Sequence, residues 1–394
     1  MPPPDTNTAT RSTLPPLEAA RHLVPMIRAQ ADEIDRTRCL PRPVFEAIYD
    51  AGLFRLGMPR AIGGLQADLP THVRVIEELA KADASTAWVI NQNAVFATLA
   101  ARLPEAVARA IWIDVPRSVA SNTPAPTAQA VVVPGGYRVT GKQGFSTGCR
   151  HASWIASQAQ VIENGQPRSR DGKPEVRYCF VPVAQVELID TWNVRGMRGT
   201  GTHHFAIEDV FVPAERSVLA RGATVLDDGA LYRGPFTLHF AAGDAAVALA
   251  TARGFMDEFY TLAGSKAPRA SPGLLRDQSI PQHAIGQAEA TLRSARAFLM
   301  EAVDDMWREA TAGPVGTEAR ARLRLAATHG IRAAAEAIGS LYPLCGASII
   351  FEGSRMHRSF QDIHVMTQHV QARLSHYELV GQFWLGAPWD ETQM

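Results

Sequence analysis

The stretch Thr191–Pro213, TWNVRGMRGTGTHHFAIEDVFVP, changes character halfway along its length. Its first half is a glycine-rich loop, whereas Phe205–Val212 has the Val, Ile and Phe content of a β-strand. The glycines do not follow the GxGxxG spacing, and no strand-then-helix context surrounds them. We therefore predict no Rossmann domain for nicotinamide in this chain, so that any reducing power has to arrive from elsewhere.

The glycines of this stretch surround two side chains of interest. Gly196, Gly199 and Gly201 flank Arg198 and Thr200. Backbone N–H groups of such a loop, together with one guanidinium, are suited to cradle a negatively polarised group. The loop is therefore a candidate binding segment.

Short apolar runs broken by Pro and Gly surround this loop, from Arg117 to about Val218. The predicted strands are Ala130–Val133, Tyr137–Val139, Trp154–Gln160, Tyr178–Val183 and Phe205–Val212. Gly135-Gly136 indicates a hairpin between the first two strands, and the polar run Val161–Glu175 indicates an exposed loop. The centre of the chain is thus predicted to be a small antiparallel β-domain.

Helical periodicity dominates on both sides of this β-region. Before it, the predicted helices are Ala19–Ile34 with a kink or a later start at Pro25, Val44–Ala51, Thr71–Lys81 and Ser85–Ala100. After Leu226 they are Ala241–Ala263, Gln282–Ala312 with a buried stripe of Leu292, Ala295, Leu299 and Ala302, Thr317–Tyr342 and Arg355–Leu385. We predict an α+β, mainly α protein with a disordered tail (1–16), a helical domain (17–114), a β-domain (115–222) and a C-terminal helical domain (223–394).

Composition excludes several classes of protein. A chain of 394 residues accommodates two or three packed units around a large core. Lys+Arg and Asp+Glu number 39 each, and no basic run is interleaved with aromatics, so nucleic acid is not an expected partner. No apolar run reaches about 18 residues, so no membrane span is expected either. The opening Met1–Pro16 lacks the charged end and apolar run of a signal peptide.

The cysteines and histidines do not predict a metal site. Cys39, Cys149, Cys179 and Cys345 are far apart and form no CxxC pair, so we expect neither a disulfide framework nor a zinc ribbon. This usage fits a reducing cytoplasm. Histidines cluster in and after Arg355–Gln371, where His369 and His376 have the spacing to share one helical face. Because HxxxH, HExxH and acidic clusters are absent there, we predict no metal.

A second candidate segment lies between two predicted strands. Gly144-Phe145-Ser146-Thr147-Gly148 combines small residues with two adjacent hydroxyl groups. Small residues let a flat ligand approach the backbone, and hydroxyls offer hydrogen bonds to its polar edge. The same residues are equally typical of a Ser/Thr-rich turn. Residue types alone leave both interpretations open.

From about Leu17 to Gly386 the chain resembles the acyl-CoA dehydrogenases and their flavin-dependent monooxygenase relatives. The resemblance to their first domain rests on Leu40-Pro41, Ala51–Phe54, Pro59, Gly63-Gly64 and Glu78–Trp88. GYRVTGKQGFSTG (136–148) and WNVRGMRGTGTHHFAIEDVFVP (192–213) are similar to the two flavin-contacting stretches of that superfamily. The resemblance implies an N-terminal helical domain, a central antiparallel β-barrel and a C-terminal four-helix bundle.

The C-terminal motif distinguishes two branches of this superfamily. The commonest acyl-CoA dehydrogenases carry a glutamate base about eight residues after an Arg-Asp pair, where it removes a proton from a thioester. Here Arg358 and Asp362 keep part of that pattern, but Thr367–Gln371 offers no carboxylate. At the alternative base position the nearest acid is Asp244, which is shorter than glutamate. The resemblance therefore favours the monooxygenase branch, whose flavin-side histidine matches His369.

This resemblance implies roles for individual residues. Thr147 faces flavin N5 and acts with His369 as the catalytic pair. The residues that line or support the flavin site are Phe145, Ser146, Thr147, Gly148, Trp192, Arg198 and Thr200. The residues implied in the substrate pocket are Asn93, Phe96 and Phe236. Phenol-hydroxylating relatives have a histidine at the position of Phe96, so the resemblance implies an apolar heteroaromatic substrate such as indole or indole-3-acetate.

The implied activity is that of the oxygenase component of a two-component monooxygenase, assembled as a homotetramer. Reduced FMN or FAD, delivered by a separate NAD(P)H:flavin reductase, reacts with O₂ to a C4a-hydroperoxide that oxygenates a small aromatic substrate. A dry pocket limits loss of peroxide. The alternatives are an acyl-CoA dehydrogenase with an unplaced base, an S- or N-oxygenase of the same fold, and a non-catalytic scaffold.

Overall fold

The computed structural model describes residues 14–269 and 272–391. Most of the tail predicted for 1–16 lies outside the described residues, and the first helix begins at Pro16. The helices are α1 (Pro16–Thr37), α2 (Arg42–Asp50), α3 (Leu69–Ala80), α4 (Ala84–Phe96), α5 (Glu105–Trp112), α6 (Phe236–Ser265), α7 (Ser279–Ala312), α8 (Thr317–Cys345), α9 (Arg355–Met366) and α10 (Ser375–Trp384). Helix α1 continues through Pro25.

All described strands lie between α5 and α6, so the predicted order of α, β and α segments is confirmed. The strands are β1 (Ala120–Asn122), β2 (Ala128–Val133), β3 (Gly136–Ser146), β4 (Trp154–Glu163), β5 (Gln166–Pro167), β6 (Ser169–Arg170), β7 (Lys173–Pro174), β8 (Val176–Pro182), β9 (Glu187–Ile189), β10 (His203–Pro213) and β11 (Ser217–Leu219). The short strands β5, β6 and β7 are exposed and lie within the predicted loop Val161–Glu175.

The main sheet runs in the order β11-β8-β4-β2-β3-β10-β9. The predicted hairpin joins β2 to β3, with Val133 opposite Gly136 and Gly135 at φ 80° in the turn. After β3 the chain crosses to the far side of β2, so β4 runs parallel to β2 instead of forming another hairpin. Because β9 and β11 have no pairing with each other among the described strands, the sheet is mixed and open, and the antiparallel closed barrel we predicted is wrong in this detail.

Two helices form the centre of the helical part. Every residue of α4 is buried, and α6 is buried without interruption from Leu238 to Ala252. Helix α4 contacts α6 and α3, and its last turns continue as a 3₁₀ helix over Ala97–Arg102. The predicted stripe of α7 is confirmed, since Leu292, Ala295, Leu299 and Ala302 are all buried.

The predicted helix Arg355–Leu385 is two helices. Between α9 and α10 the chain is extended at His369, with φ −71° and ψ 153°. The guanidinium of Arg332, on α8, donates to the carbonyl oxygens of Thr367 and Ala372 at 2.7–3.1 Å, which supports this break. His369 and His376 therefore do not share a helical face, and two short helices take the fourth place in the predicted bundle. Among the described residues, no helix is both long enough and apolar enough to span a bilayer.

Candidate active site

Helix α4 contacts two groups of candidate residues, one from the β-region, here called the strand side, and one from the C-terminal helices, here called the helical side. On the strand side, Gly148 packs so closely that an added Cβ would lie 3.1 Å from Val89 Cγ1 and 3.2 Å from Asn93 Nδ2. Gly148 also has φ +70°, a conformation that favours glycine. On the helical side, the ring of Trp88 meets the ring of His369 edge to face at 4.9 Å. The segment after β3 and the segment after α9 thus meet the same helix.

A β-bulge shapes the end of strand β3. The register against β10 shifts between His203 and Phe205, and Phe145 in this bulge has φ +61°. Its ring is 58% exposed and lies edge to face with Trp192 at 6.3 Å. The hydroxyl of Ser146 lies inside, 2.7 Å from that of Ser121. The bulge therefore presents one aromatic ring outward and a hydroxyl inward.

Three threonines form a row of hydroxyl groups, here called the threonine row. Thr147 Oγ1 is 3.1 Å from Thr202 Oγ1, which is 2.7 Å from Thr200 Oγ1. Thr200 donates to the carbonyl of Met197 at 2.8 Å, and the indole N–H of Trp192 donates to the same oxygen at 2.9 Å. The structure thus brings Thr147, Thr200 and Trp192 together. Thr202 was not predicted, although its place directly after Gly199-Thr200-Gly201 was a usable signal.

The glycine-rich loop is occupied by internal contacts. The N–H of Met197 donates to Asp362, and burial raises the pKa of that carboxyl to about 8. Gly199 approaches α1 and α4 so closely that an added Cβ would lie 2.2 Å from Ile34 Cγ2. Arg198 donates to the carbonyl oxygens of Asp35 and Val194 at 3.2 and 3.0 Å. In this geometry Arg198 supports the loop through two backbone carbonyls.

His369 contacts a buried carboxylate. Its Nδ1 is 3.2 Å from Oδ2 of Asp244, an oxygen with no hydrogen-bond partner among the described residues. The His369 side chain is 29% exposed, whereas that of Asp244 is 0% exposed. Burial raises the pKa of the Asp244 carboxyl. A lone acid within the apolar run Ala241–Ala252 was a signal of function, because charged residues are seldom fully buried without a partner.

The predicted pocket residues lie near one aromatic cluster. Phe96 is fully buried, edge to face with Tyr178 at 5.2 Å. Phe236 is half-buried at the other end, 6.4 Å from Tyr178 and 5.8 Å from Phe240. Asn93 donates to the carbonyl of Val89 at 2.8 Å, while its buried Oδ1 has no partner within the described chain. Phe96 is therefore enclosed by the core. Phe236 keeps part of its ring exposed, and Asn93 keeps an oxygen that can accept a hydrogen bond.

Comparisons with known proteins agree with this architecture. Residues 18–112 match the acyl-CoA dehydrogenase N-terminal domain, and residues 242–374 match the acyl-CoA dehydrogenase C-terminal domain. The chain is 32% identical over 362 residues to the indole-3-acetate monooxygenase of Pseudomonas putida, covering 91% of this chain and 90% of that one.

Two further matches lie in the same group. The flavin-dependent monooxygenase oxygenase subunit HsaA of Mycobacterium tuberculosis is 28% identical over 389 residues, covering 96% of this chain and 97% of that protein. The crystal structure of 3-HSA hydroxylase from Rhodococcus sp. RHA1 superposes with a TM-score of 0.88 at 26% identity, covering 97% of this chain and 100% of that chain.

These matches define a protein of the acyl-CoA dehydrogenase fold. Within that class, the chain belongs to the flavin-dependent monooxygenases and is an oxygenase component, hence an oxidoreductase.

Proposed function

We propose that this chain oxygenates a small aromatic substrate, with reduced FMN or FAD supplied by a separate NAD(P)H:flavin reductase and with O₂ as oxidant. When bound, reduced flavin supplies two electrons to O₂, so that one oxygen atom enters the substrate and the other leaves as water. The residues of this chain bind and orient the reactants, exclude water and exchange a proton.

The residues on the strand side of α4 fit a flavin. Phe145 offers an exposed ring beside Trp192, and the threonine row provides hydroxyl groups at the inner edge. The side chain of Asn93 lies near Gly148, and its Oδ1, which has no partner among the described residues, can accept a hydrogen bond. We assign Phe145, Ser146, Thr147 and Gly148 to this flavin site, with Trp192, Arg198 and Thr200 as its support.

The observation that carries the proposal is the position of His369. It lies in an extended segment, partly exposed, with Trp88 at one face and a buried carboxylate at Nδ1. Histidine exchanges protons near neutral pH, as oxygen transfer requires. Asp244 is fully enclosed and accepts from Asn91 and Gln92, so it does not reach a thioester as a dehydrogenase base. This geometry disfavours the dehydrogenase alternative.

An aromatic substrate is supported by the aromatic cluster at the end of α4. Phe236 is its half-buried member, and Phe96, Tyr178 and Phe240 pack behind it. Flat aromatic ligands pack well against such edges. The 32% identity to an indole-3-acetate monooxygenase favours indole-3-acetate as the first substrate to try.

We also propose a homotetramer. Apolar side chains stand exposed on the single chain, among them Ile280, Ile350, Phe351, Leu374 and Leu385. Exposed apolar surface of this kind is commonly covered by another subunit. Sedimentation analysis of the purified protein should give four times the mass of 42.7 kDa, and a monomer at micromolar concentration would contradict this assembly.

The function is tested by turnover with defined probes. The purified chain, a flavin reductase, NADH and FMN or FAD are mixed with indole-3-acetate, indole, a phenol, a sulfide and, separately, an acyl-CoA. We expect O₂-dependent product from an indole and none without the reductase. Product from the sulfide alone would indicate the S-oxygenase alternative, and anaerobic oxidation of acyl-CoA would contradict the proposal.

A further inference from the structure

Asp244 is surrounded by donors. Its Oδ1 accepts from Asn91 Nδ2 and from Gln92 Nε2, each at 2.9 Å, and its Oδ2 faces His369. Neutral amides that donate to a carboxylate stabilise its charged form, which opposes the effect of burial. A carboxylate held by two amides at one oxygen leaves its other oxygen for a single partner. The nearest polar atom to that oxygen is Nδ1 of His369, at 3.2 Å, and the N–H of Gln371 also approaches this Nδ1, at 3.5 Å.

Other titratable groups lie on α6 and on the helices around it. His72 on α3 lies 2.8 Å from Asn91 Oδ1, and burial lowers its pKa. Burial also lowers the pKa of His239 to about 3 and that of His376 to about 4, so these imidazoles are neutral near pH 7. Arg324 on α8 is buried, and burial lowers its pKa to about 10, which leaves it positively charged. A positive charge near Asp244 favours the ionised carboxylate.

We propose that Asp244 is a positioning residue for His369, holding Nδ1 of the imidazole so that Nε2 is left for proton exchange at the flavin site. The two ring nitrogens lie on opposite edges of the ring, and a partner at one of them fixes the orientation and tautomer of the other. Among the described residues, Nε2 has no hydrogen-bond partner. The role of this proton exchange in oxygenation rests on the proposed function, whereas the contact between Asp244 and His369 does not depend on it.

Asp244→Asn tests this role with little change of shape. The variant keeps an oxygen that accepts from Asn91 and Gln92 but removes the negative charge beside Nδ1. The matched control is Asp83→Asn, at another buried carboxyl, which caps the start of α4 by accepting from Thr86. Asparagine caps helices as well as aspartate does.

The first readout needs neither flavin nor substrate. The flavin-free full-length protein is treated with diethyl pyrocarbonate, which reacts with neutral imidazole, and modification of His369 is followed by peptide mass mapping. The quantity compared is the ratio of its rate at about pH 6 to that at about pH 8. Loss of the neighbouring charge disfavours protonated imidazole, so Asp244→Asn should raise this ratio about twofold or more.

The controls make the result decisive. The ratio for His369 should be unchanged in Asp83→Asn, and exposed His364 should be unchanged in every variant. An equal ratio for His369 in the wild type and in Asp244→Asn would overturn the proposal. If Asp244→Asn does not fold, Gln92→Met removes one donor from the carboxylate and should move the ratio in the same direction, and no movement would overturn the proposal equally.

The second readout links the contact to turnover with indole-3-acetate. Asp244→Asn should lower product per reduced flavin about tenfold, and it should have no further effect when added to His369→Gln, since coupled residues are not additive. If Asp244→Asn lowers the product yield by the same factor in the wild type and in His369→Gln, the positioning role is overturned. If the wild-type chain oxygenates none of the probes, the proposed function fails while the modification result still decides the contact.

Discussion

The two sides of helix α4 are built in different ways. On the strand side, Thr147, Thr200 and Thr202 come from short segments rich in glycine and hydroxyl residues, which pair through neighbouring strands. On the helical side, Asp244 and His369 meet only because α6 and the segment after α9 pack together. The residues of the strand side can be recognised in the sequence as motifs. Those of the helical side are brought together only by the packing of distant segments. We expect changes on the strand side to affect flavin handling and changes on the helical side to affect proton handling.

The largest effect is expected on the helical side. His369→Ala should lower product formation about 100-fold or more, because it removes a positioned acid–base group. Flavin binding should change little, since His369 is proposed to exchange a proton and is not among the residues that we assign to hold the flavin. The measurement is product per reduced flavin oxidised, with His364→Ala as an exposed control on α9. Wild-type yield in His369→Ala would remove the proposed proton-exchange role.

Phe96→His tests whether the aromatic cluster is a pocket wall or only core. Because Phe96 is fully buried beside Tyr178, an imidazole without a partner there should lower the free energy of unfolding by about 1–3 kcal/mol. If Phe96 also lines the substrate pocket, Phe96→His should lower kcat/KM for an indole relative to kcat/KM for a matched phenol. Phe96→Leu, which stays apolar, is the control. Destabilisation without any change of preference would assign Phe96 to the core alone.

Asp362→Asn probes the connection between the two sides, since Asp362 on α9 holds the glycine-rich loop through Met197. Its folded pKa, about 8, is raised by burial above the ordinary aspartate value. The protonated carboxyl therefore contributes its full stabilisation to the folded protein below about pH 4, and this contribution is lost as the pH rises through about 8. Asparagine does not ionise, so the variant does not lose this stabilisation. From acidic to alkaline pH, its free energy of unfolding should therefore rise by at least about 1 kcal/mol relative to that of the wild type.

Urea unfolding of both proteins at the two pH extremes measures this difference. Parallel pH dependence in wild type and Asp362→Asn would mean that Asp362 is ionised in the folded protein, and the loop would then be held by a charged group.

The smallest effect is expected on the strand side. Thr147→Val removes one hydroxyl from the threonine row at a cost of about 1 kcal/mol, while preserving the side-chain volume. The expected result is more hydrogen peroxide and less product per O₂ consumed. Thr147→Ser, which keeps the hydroxyl, should remain close to wild type. Unchanged coupling in Thr147→Val would return the segment Gly144–Gly148 to the interpretation of a Ser/Thr-rich turn.

The sequence predicted the features that depend on local pattern. The α, β, α order, the Gly135-Gly136 hairpin and the buried face of α7 follow from periodicity and turn chemistry, and all three are confirmed. The fold family followed from long motifs and is confirmed by the comparisons.

Features set by distant contacts were not predictable. The crossover that makes β4 parallel to β2 depends on which edge of the sheet the chain reaches, and apolar alternation does not encode this choice. The break at His369 is supported by Arg332 from another helix, so the helical spacing of His369 and His376 was misleading. The contact between Asp244 and His369 likewise arises from packing.

The most direct measurement of the activity is isotope incorporation. The chain is supplied with enzymatically reduced flavin, indole-3-acetate and oxygen-18-labelled O₂, and the product is analysed by mass spectrometry. We predict one labelled oxygen atom in the product, in a yield that falls in His369→Ala. A product without label, or one formed equally well in the absence of O₂, would contradict oxygenation by this site.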